Sequence, residues 1–336
     1  MIEVRSVLRA SIALCMLLLV PATAGAAVDV RRDAATGAIT IQGTSEAAES
    51  VTVARDDLGG LRVSETTAVT SSDASCLPDA LVPGAVTCVA PASDANLTVT
   101  LGDGADVLDA RDALGTNVVV DGGPGTDTFR FAGSSSIRIN DATATDVVDL
   151  SLAANAATRV RYELASARLV VRCTKCETPF VATLPVFPGT VLLGSAVDDV
   201  ELTTWRRPGR TVWSLGEGDD RFFGSPIHRS VVAGGLGQDG FVSRAAVDTF
   251  IGGAGHDRFA DFGGRGDVLN GGADIDVFAS LDGQRDTILG GASPIDSCAR
   301  PHDTVRCDSG IVRGVEATTY LPFTSVKYVL GYVGIK

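Results

Sequence analysis

Aspartates recur along residues 215–296 at an interval that suits shared binding of a cation. Asp220, Asp239, Asp257 and Asp276 each close a glycine-rich turn, in Leu215-Gly216-Glu217-Gly218-Asp219-Asp220, Gly234-Gly235-Leu236-Gly237-Gln238-Asp239, Gly252-Gly253-Ala254-Gly255-His256-Asp257 and Gly271-Gly272-Ala273-Asp274-Ile275-Asp276. An aspartate followed two residues later by an apolar side chain also recurs, at Asp239/Phe241, Asp248/Phe250, Asp257/Phe259, Asp267/Leu269, Asp276/Phe278 and Asp286/Ile288. The step is nine or ten residues. Self-similarity at a fixed short period is the mark of a repeat architecture.

Glycines permit the positive φ values that tight turns need. A six-residue turn alternating with a three-residue strand makes two units one coil of a flattened helix, about 18–19 residues around. The expected fold is therefore all-β, a parallel β-helix or β-roll. The side chain two residues after each aspartate points inward, which predicts two internal columns: Phe222, Phe241, Phe259 and Phe278 on one side, Phe250, Leu269 and Ile288 on the other. A sugar-binding platform is the other use for such aromatics, but their two-unit spacing favours core packing.

Coils in register lie roughly 4.8 Å apart, about twice the 2.4 Å or so at which calcium holds oxygen. One ion fits between carboxylates of neighbouring coils, and carbonyls of the glycine turns can complete its ligands. The alternative is a set of ordinary Asp-Gly turns solvated by water, against which stands the repulsion of closely stacked carboxylates. The opposite column looks sparser, because Ser243 to Asp248 and Leu281 to Asp286 lack the glycine pair and only Gly263-Gly264-Arg265-Gly266-Asp267 looks competent.

These turns resemble the nonapeptide G-G-x-G-x-D-x-U-x, and the chain is identified on them as similar to the haemolysin-type (RTX) calcium-binding repeat group. Matches at Gly234–Phe241 and Gly252–Phe259 are nearly complete, whereas Asp274 replaces a turn glycine and Pro294 lies in an expanded turn before Asp296. The resemblance implies that calcium is structural and that the chain folds when it meets the ion outside the cell. Expected ligands are Asp220, Asp239, Asp257, Asp267 and Asp276, followed by Asp219 and, behind poorer turns, Asp106 and Asp127, with Asp146 one coil further. Backbone ligands would come from Gly216, Gly218, Gly234, Gly235, Gly237, Gly252, Gly253, Gly255, Gly271 and Gly272.

Residues 1–27 read as a secretory signal peptide: Arg5 and Arg9 precede the apolar run Ala10–Val20, and Ala24-Gly25-Ala26-Ala27 offers the cleavage site. The run is short for a membrane span, so no transmembrane segment is expected after its removal. The formal charge is −13, and losing Glu3, Arg5 and Arg9 makes it −14. Such acidity argues against nucleic acid and suits an extracellular chain that captures calcium ions.

Residues 28–100 read as an N-terminal β region with short strands around Ile39–Ile41, Val51–Ala54 and Leu61–Val63. Residues 101–297 read as the coil, with best repeats over 214–297 and a metal-poor middle at about 150–213. There the glycine turns vanish, but apolar centres near Val160, Val170, Val181, Val191, Val200 and Val212 predict that the coil continues. Residues 298–336 read as a cap, since repeat stacks need polar or covered ends.

Cysteine spacing predicts three disulfides: Cys76 with Cys88, Cys173 with Cys176 as a tight local bridge, and Cys298 with Cys307 across the core. A redox or zinc role for Cys173 and Cys176 lacks the surrounding elements it needs. His228, His256 and His302 are isolated, and no nucleophile elbow or metal-hydrolase motif occurs. An adhesin or matrix component docking polysaccharide or a cell surface, and a β-helix carbohydrate-active enzyme, are the competing function classes.

Overall fold

The computed structural model describes residues 27–313, apart from 44–47, 67, 91–94, 114–115, 133–135, 142, 144, 152–157, 164–167, 174–179, 185–187, 196, 204–206, 281–283, 285, 292–296 and 299–310. Among the described residues every regular element is a strand, and the strands form one 15-stranded and one 14-stranded sheet. No helix among them is long and apolar enough to cross a membrane.

Over the second half, successive strands alternate between the sheets and each pairs in parallel with the strand one coil away. Arg221–Phe223, Gly240–Ser243, Arg258–Asp261 and Val277–Ser280 run side by side in the 15-stranded sheet. Gly209–Glu217, His228–Leu236, Thr249–Ala254, Val268–Ala273 and Thr287–Gly291 do so in the other. The fold is thus the parallel β-helix that the repeat predicts.

Strand side chains alternate between faces, so the inward positions of successive strands line up and build the core. Phe222, Phe241, Phe259 and Phe278 stand in register and are fully buried. Ring centroids of Phe241 and Phe259 lie 4.9 Å apart and those of Phe259 and Phe278 4.8 Å, one sheet spacing. Opposite them, Trp213, Val232, Phe250, Leu269 and Ile288 form the second column. Each aromatic contact adds roughly 0.5–1.5 kcal/mol beyond its buried area.

The beginning of the chain departs from the simple coil. Ala27–Arg32 pairs antiparallel with Ile39–Gly43, and Ser50–Arg55, Leu61–Glu65, Val86–Cys88 and Cys76–Pro78 form an antiparallel run. Ile39–Gly43 and Ser50–Arg55 then pair in parallel with Ala95–Thr100 and Val107–Asp112, which starts the stack. Cys76 and Cys88 are disulfide-bonded across neighbouring strands, as their spacing predicts.

The uninterrupted coil expected through the middle is not what forms. Thr158–Glu163, Arg168–Cys173 and Phe180–Leu184 make an antiparallel meander. Its outer strands pair in parallel with Asp199–Glu201 on one side and Ser136–Asp141 on the other. Meanwhile the 14-stranded sheet steps directly from Val147–Asp149 to Thr190–Leu192. A meander of short hairpins and a coil both place strand centres about ten residues apart, so that spacing does not separate them.

Of the other cysteines, Cys173 ends its strand, whereas Cys176 and Cys307 lie outside the described residues. Cys298 stands in register with Phe278. Across from it, the place in register with Ile288 belongs to Val312, in the strand Ile311–Arg313. That strand adds a last rung, and the rest of the expected cap, residues 314–336, lies outside the described residues.

Candidate metal centre

The flattened coil has two margins. At the first the chain crosses from the 15-stranded to the 14-stranded sheet, and at the second it crosses back. Asp198, Asp220, Asp239, Asp257 and Asp276 line the second margin, all with no exposed surface. Each carboxylate reaches back one coil: Oδ1 of Asp220 accepts the amide of Asp198 at 2.7 Å, Asp239 that of Asp220 at 2.9 Å, Asp257 that of Asp239 at 2.8 Å and Asp276 that of Asp257 at 2.9 Å. The column is therefore a ladder of charge-accepting hydrogen bonds as well as a row of acids.

Oδ1 is committed, but Oδ2 of Asp220, Asp239 and Asp257 is buried with no hydrogen-bond partner among the described residues. None of these three is ion-paired among the described residues. Oδ2 lies against the first glycine of its own turn: a Cβ on Gly234 would sit 2.0 Å from Oδ2 of Asp239, and one on Gly252 2.0 Å from that of Asp257. In these two turns the first glycine makes room for the carboxylate and has no positive φ, whereas in the Asp220 turn Leu215 holds the place in register with Gly234. The fourth is required by both space and conformation, since Gly237 has φ +135° and a Cβ there would stand 1.8 Å from the carbonyl oxygen of Gly218 one coil back. Asp274 occupies the equivalent place in its turn at φ 72°, so the turn keeps its shape with a residue that rarely adopts it.

Burial pushes these acids up. Asp220 rises to about 8 through desolvation and then its neighbours Asp198, Asp239 and Asp219, and Asp257 to about 8 through desolvation and then Asp239 and Asp276. Asp239 rises to about 6 through desolvation and the nearby charge of Asp219. Asp219 itself is exposed and accepts the amide of Gln238 at 2.9 Å, which places it outside the buried ladder.

The first margin is fuller than the sequence suggests. Strand register aligns Glu49, Asp106, Asp127, Asp146, Gly189, Thr211, Ser230, Asp248, Asp267 and Asp286 in one column. The same ladder recurs: amides of Glu49, Asp106 and Asp127 donate to Asp106, Asp127 and Asp146 at 2.7, 3.0 and 3.0 Å. Those of Ser230, Asp248 and Asp267 donate to Asp248, Asp267 and Asp286 at 2.8, 2.5 and 3.0 Å. Asp248 and Asp286 need no glycine pair to take this position. In the middle rungs the acid gives way to Gly189, Thr211 and Ser230; Thr211 meets buried His228 at 3.0 Å, whose pKa burial lowers to about 4. His256 is exposed on a turn, where its Nδ1 meets the backbone of Ile275.

Where the second margin has its first glycine, the first margin carries side chains. Ser243 donates to Oδ2 of Asp248 at 3.1 Å and of Asp267 at 3.4 Å, and Ser280 to Oδ2 of Asp286 at 3.5 Å. Between them in register stands Asp261. With no hydroxyl to offer, it brings a third carboxylate beside Asp267 and Asp286, and ligand oxygens of all three lie within 4.8 Å of one another. Sequence reasoning missed Asp261, Glu49 and Asp198 as members of these arrays. For the first margin a readable signal exists, an aspartate followed by Val or Thr and then an inward apolar residue, as in Asp106-Val107-Leu108 and Asp286-Thr287-Ile288.

The donors suit a hard divalent cation: carboxylate oxygens, an excess of negative charge, and carbonyls of stacked turns, which together can supply the six to eight oxygens calcium takes. At the second margin a row one carboxylate wide offers an ion at most two acids, since alternate rungs are roughly 9.6 Å apart; turn carbonyls must supply the rest. No protein-family model matches the chain, and no curated protein matches it.

Proposed function

We propose that the protein is a secreted calcium-binding β-solenoid of the RTX type in which the ions are structural. The observation that carries this reading is the buried Oδ2 of Asp220, Asp239 and Asp257, left without a donor in a row of like charges. Ionised, the row repels itself and leaves buried oxygens without a donor. A cation lodged between rungs relieves both.

Asp220, Asp239, Asp257 and Asp276 with carbonyls of the Gly216, Gly235, Gly253 and Gly272 turns hold the ions at the second margin. Asp261, Asp267 and Asp286 supply a three-carboxylate cluster at the first, and Asp106, Asp127 and Asp146 extend that margin toward the amino terminus. The bound ion supplies positive charge only. It joins coil to coil, and by mass action it favours the folded chain. Extracellular modules bind calcium at about 10⁻⁴–10⁻³ M, which would couple folding to the medium outside the cell. The leader-like amino terminus and the Cys76–Cys88 bond support that location.

The test is circular dichroism on the chain from residue 28, with calcium titrated in after chelation. The reading expects a saturable gain of β signal. A β signal unchanged across the titration would reduce the ion to an incidental ligand.

A further inference from the structure

At the amino-terminal end of the stack, the antiparallel run and the Cys76–Cys88 hairpin enclose a cleft of about 590 Å³. That volume lies within the range of natural ligand sites, roughly 300–1,000 Å³. Its walls are apolar and open: Leu58, Leu77, Leu81 and Val89 are 95%, 61%, 83% and 65% exposed. Large apolar side chains gathered at this exposure on one surface mark an interaction site.

The rim is acidic. Asp56, Asp57 and Asp79 line the cleft against a single cation, Arg62, whose Nε lies 2.8 Å from Oδ2 of Asp79. Asp79 is held ionised, far below the usual carboxylate range, by the Thr87 hydroxyl, the Leu81 amide, Arg62 and the Val82 amide. An occupant complementary to this surface is apolar along its length and positively charged.

One segment of the chain itself has that composition. Residues 317–336 hold Tyr320, Leu321, Phe323, Val329, Leu330 and Ile335, contain no Asp or Glu, and carry Lys327 and Lys336, two of the three lysines in the sequence. The last described strand before them, Ile311–Arg313, is at the end of the 14-stranded sheet opposite the cleft. Thirteen strand spacings separate those ends of the 14-stranded sheet, roughly 62 Å, so residues 314–336 would reach their own cleft only when nearly fully extended, at roughly 76 Å.

We propose that the acidic apolar cleft at the amino-terminal end receives the basic apolar carboxy-terminal segment of a second copy of this chain. The contact is heterologous, joining different surfaces of the two copies, and such contacts repeat into open filaments unless the rotation closes a ring. Stacks would then be joined end over end. The inference stands apart from the calcium reading, because no carboxylate of either ladder lines the cleft.

A labelled synthetic peptide of residues 317–336, added to the intact chain in calcium buffer and followed by fluorescence anisotropy, tests it. Saturable binding is expected. The exposed double substitution Leu77→Asp with Leu81→Asp should weaken it by roughly tenfold or more. Asp57→Lys should weaken it too, and a peptide carrying Lys327→Glu and Lys336→Glu should bind that variant better than it binds the native chain. In light scattering, the mass of the native chain should rise with concentration, and Lys327→Glu with Lys336→Glu should suppress the rise. Absence of saturable binding, or equal binding to the Leu77/Leu81 variant, overturns the proposal. Circular dichroism of each variant separates loss of docking from loss of fold.

Discussion

Ser243 donates its hydroxyl to Oδ2 of Asp248 at 3.1 Å, whereas on the opposite margin Gly234 stands at the matching place and Oδ2 of Asp239 has no donor. The two margins share a backbone ladder but differ in how the second carboxylate oxygen is satisfied. Ser243→Ala should therefore destabilise the calcium-free chain by about 1–3 kcal/mol, the desolvation cost of an abandoned buried acceptor. Urea unfolding in chelator measures this, and an unchanged midpoint would refute the assigned role of Ser243.

Asp257 and Asp248 should answer calcium differently. Asp257→Ala empties the middle of the second-margin column and should weaken calcium-dependent folding more than Asp248→Ala does. Asp257→Asn keeps an oxygen for the Asp239 amide and removes one charge from the row, so it should stabilise the calcium-free chain while shifting the calcium titration to higher concentration. Equal responses of Asp257→Ala and Asp248→Ala would contradict the difference between the margins.

Without calcium, stability should fall as pH rises. Asp220, Asp239, Asp248 and Asp257 are raised by burial to about 8, 6, 7 and 8, above the roughly 3.9 of an unfolded aspartate. The folded chain therefore binds more protons than the unfolded one between about pH 4 and pH 8. Their favourable contribution is complete below the unfolded value and is lost as pH passes through the raised ones. Thermal melts at pH 5, 7 and 8.5 in chelator should show a declining Tm, and calcium should recover more of it at pH 8.5 than at pH 5. A Tm that climbs with pH in chelator would contradict the buried, unneutralised row.

Glycine substitutions should separate conformational from steric demands. At Gly266, φ is +91° with open space around the missing side chain, so Gly266→Ala should cost about 1–2 kcal/mol, the penalty for an L-residue in a left-handed conformation. Gly237→Ala adds a collision with the carbonyl of Gly218 and should cost distinctly more. Asp274→Gly should stabilise by about 1 kcal/mol by relieving the same left-handed strain. Chemical unfolding of the three variants checks the order.

Much of this architecture could be read from residue types alone, for a physical reason. Aromatics at Phe241, Phe259 and Phe278 recur once per coil because parallel register brings the same inward strand position around on every coil. The column of Asp248 and Asp286 was harder to see, because its position is set by strand register and by serine hydroxyls, and neither requires a glycine pair. Asp261 escaped for the related reason that it takes the place of a serine in that register. The meander at Thr158–Leu184 was missed because hairpins and coils share a spacing, and only pairing direction distinguishes them.

The stretch from Asp239 to His256 contains one carboxylate from each margin, one inward aromatic for each sheet and both sets of turns, and the rung after it begins again at Asp257 in the same register. Such a stretch is a complete module with identical joints at its two ends. A chain built this way can grow or shrink by whole modules through duplication or deletion in its gene, leaving the neighbours on either side to meet as they did before; smaller differences are taken up in the turns, since the coils from Asp198, Asp220 and Asp239 run 22, 19 and 18 residues to the next acid of the same ladder.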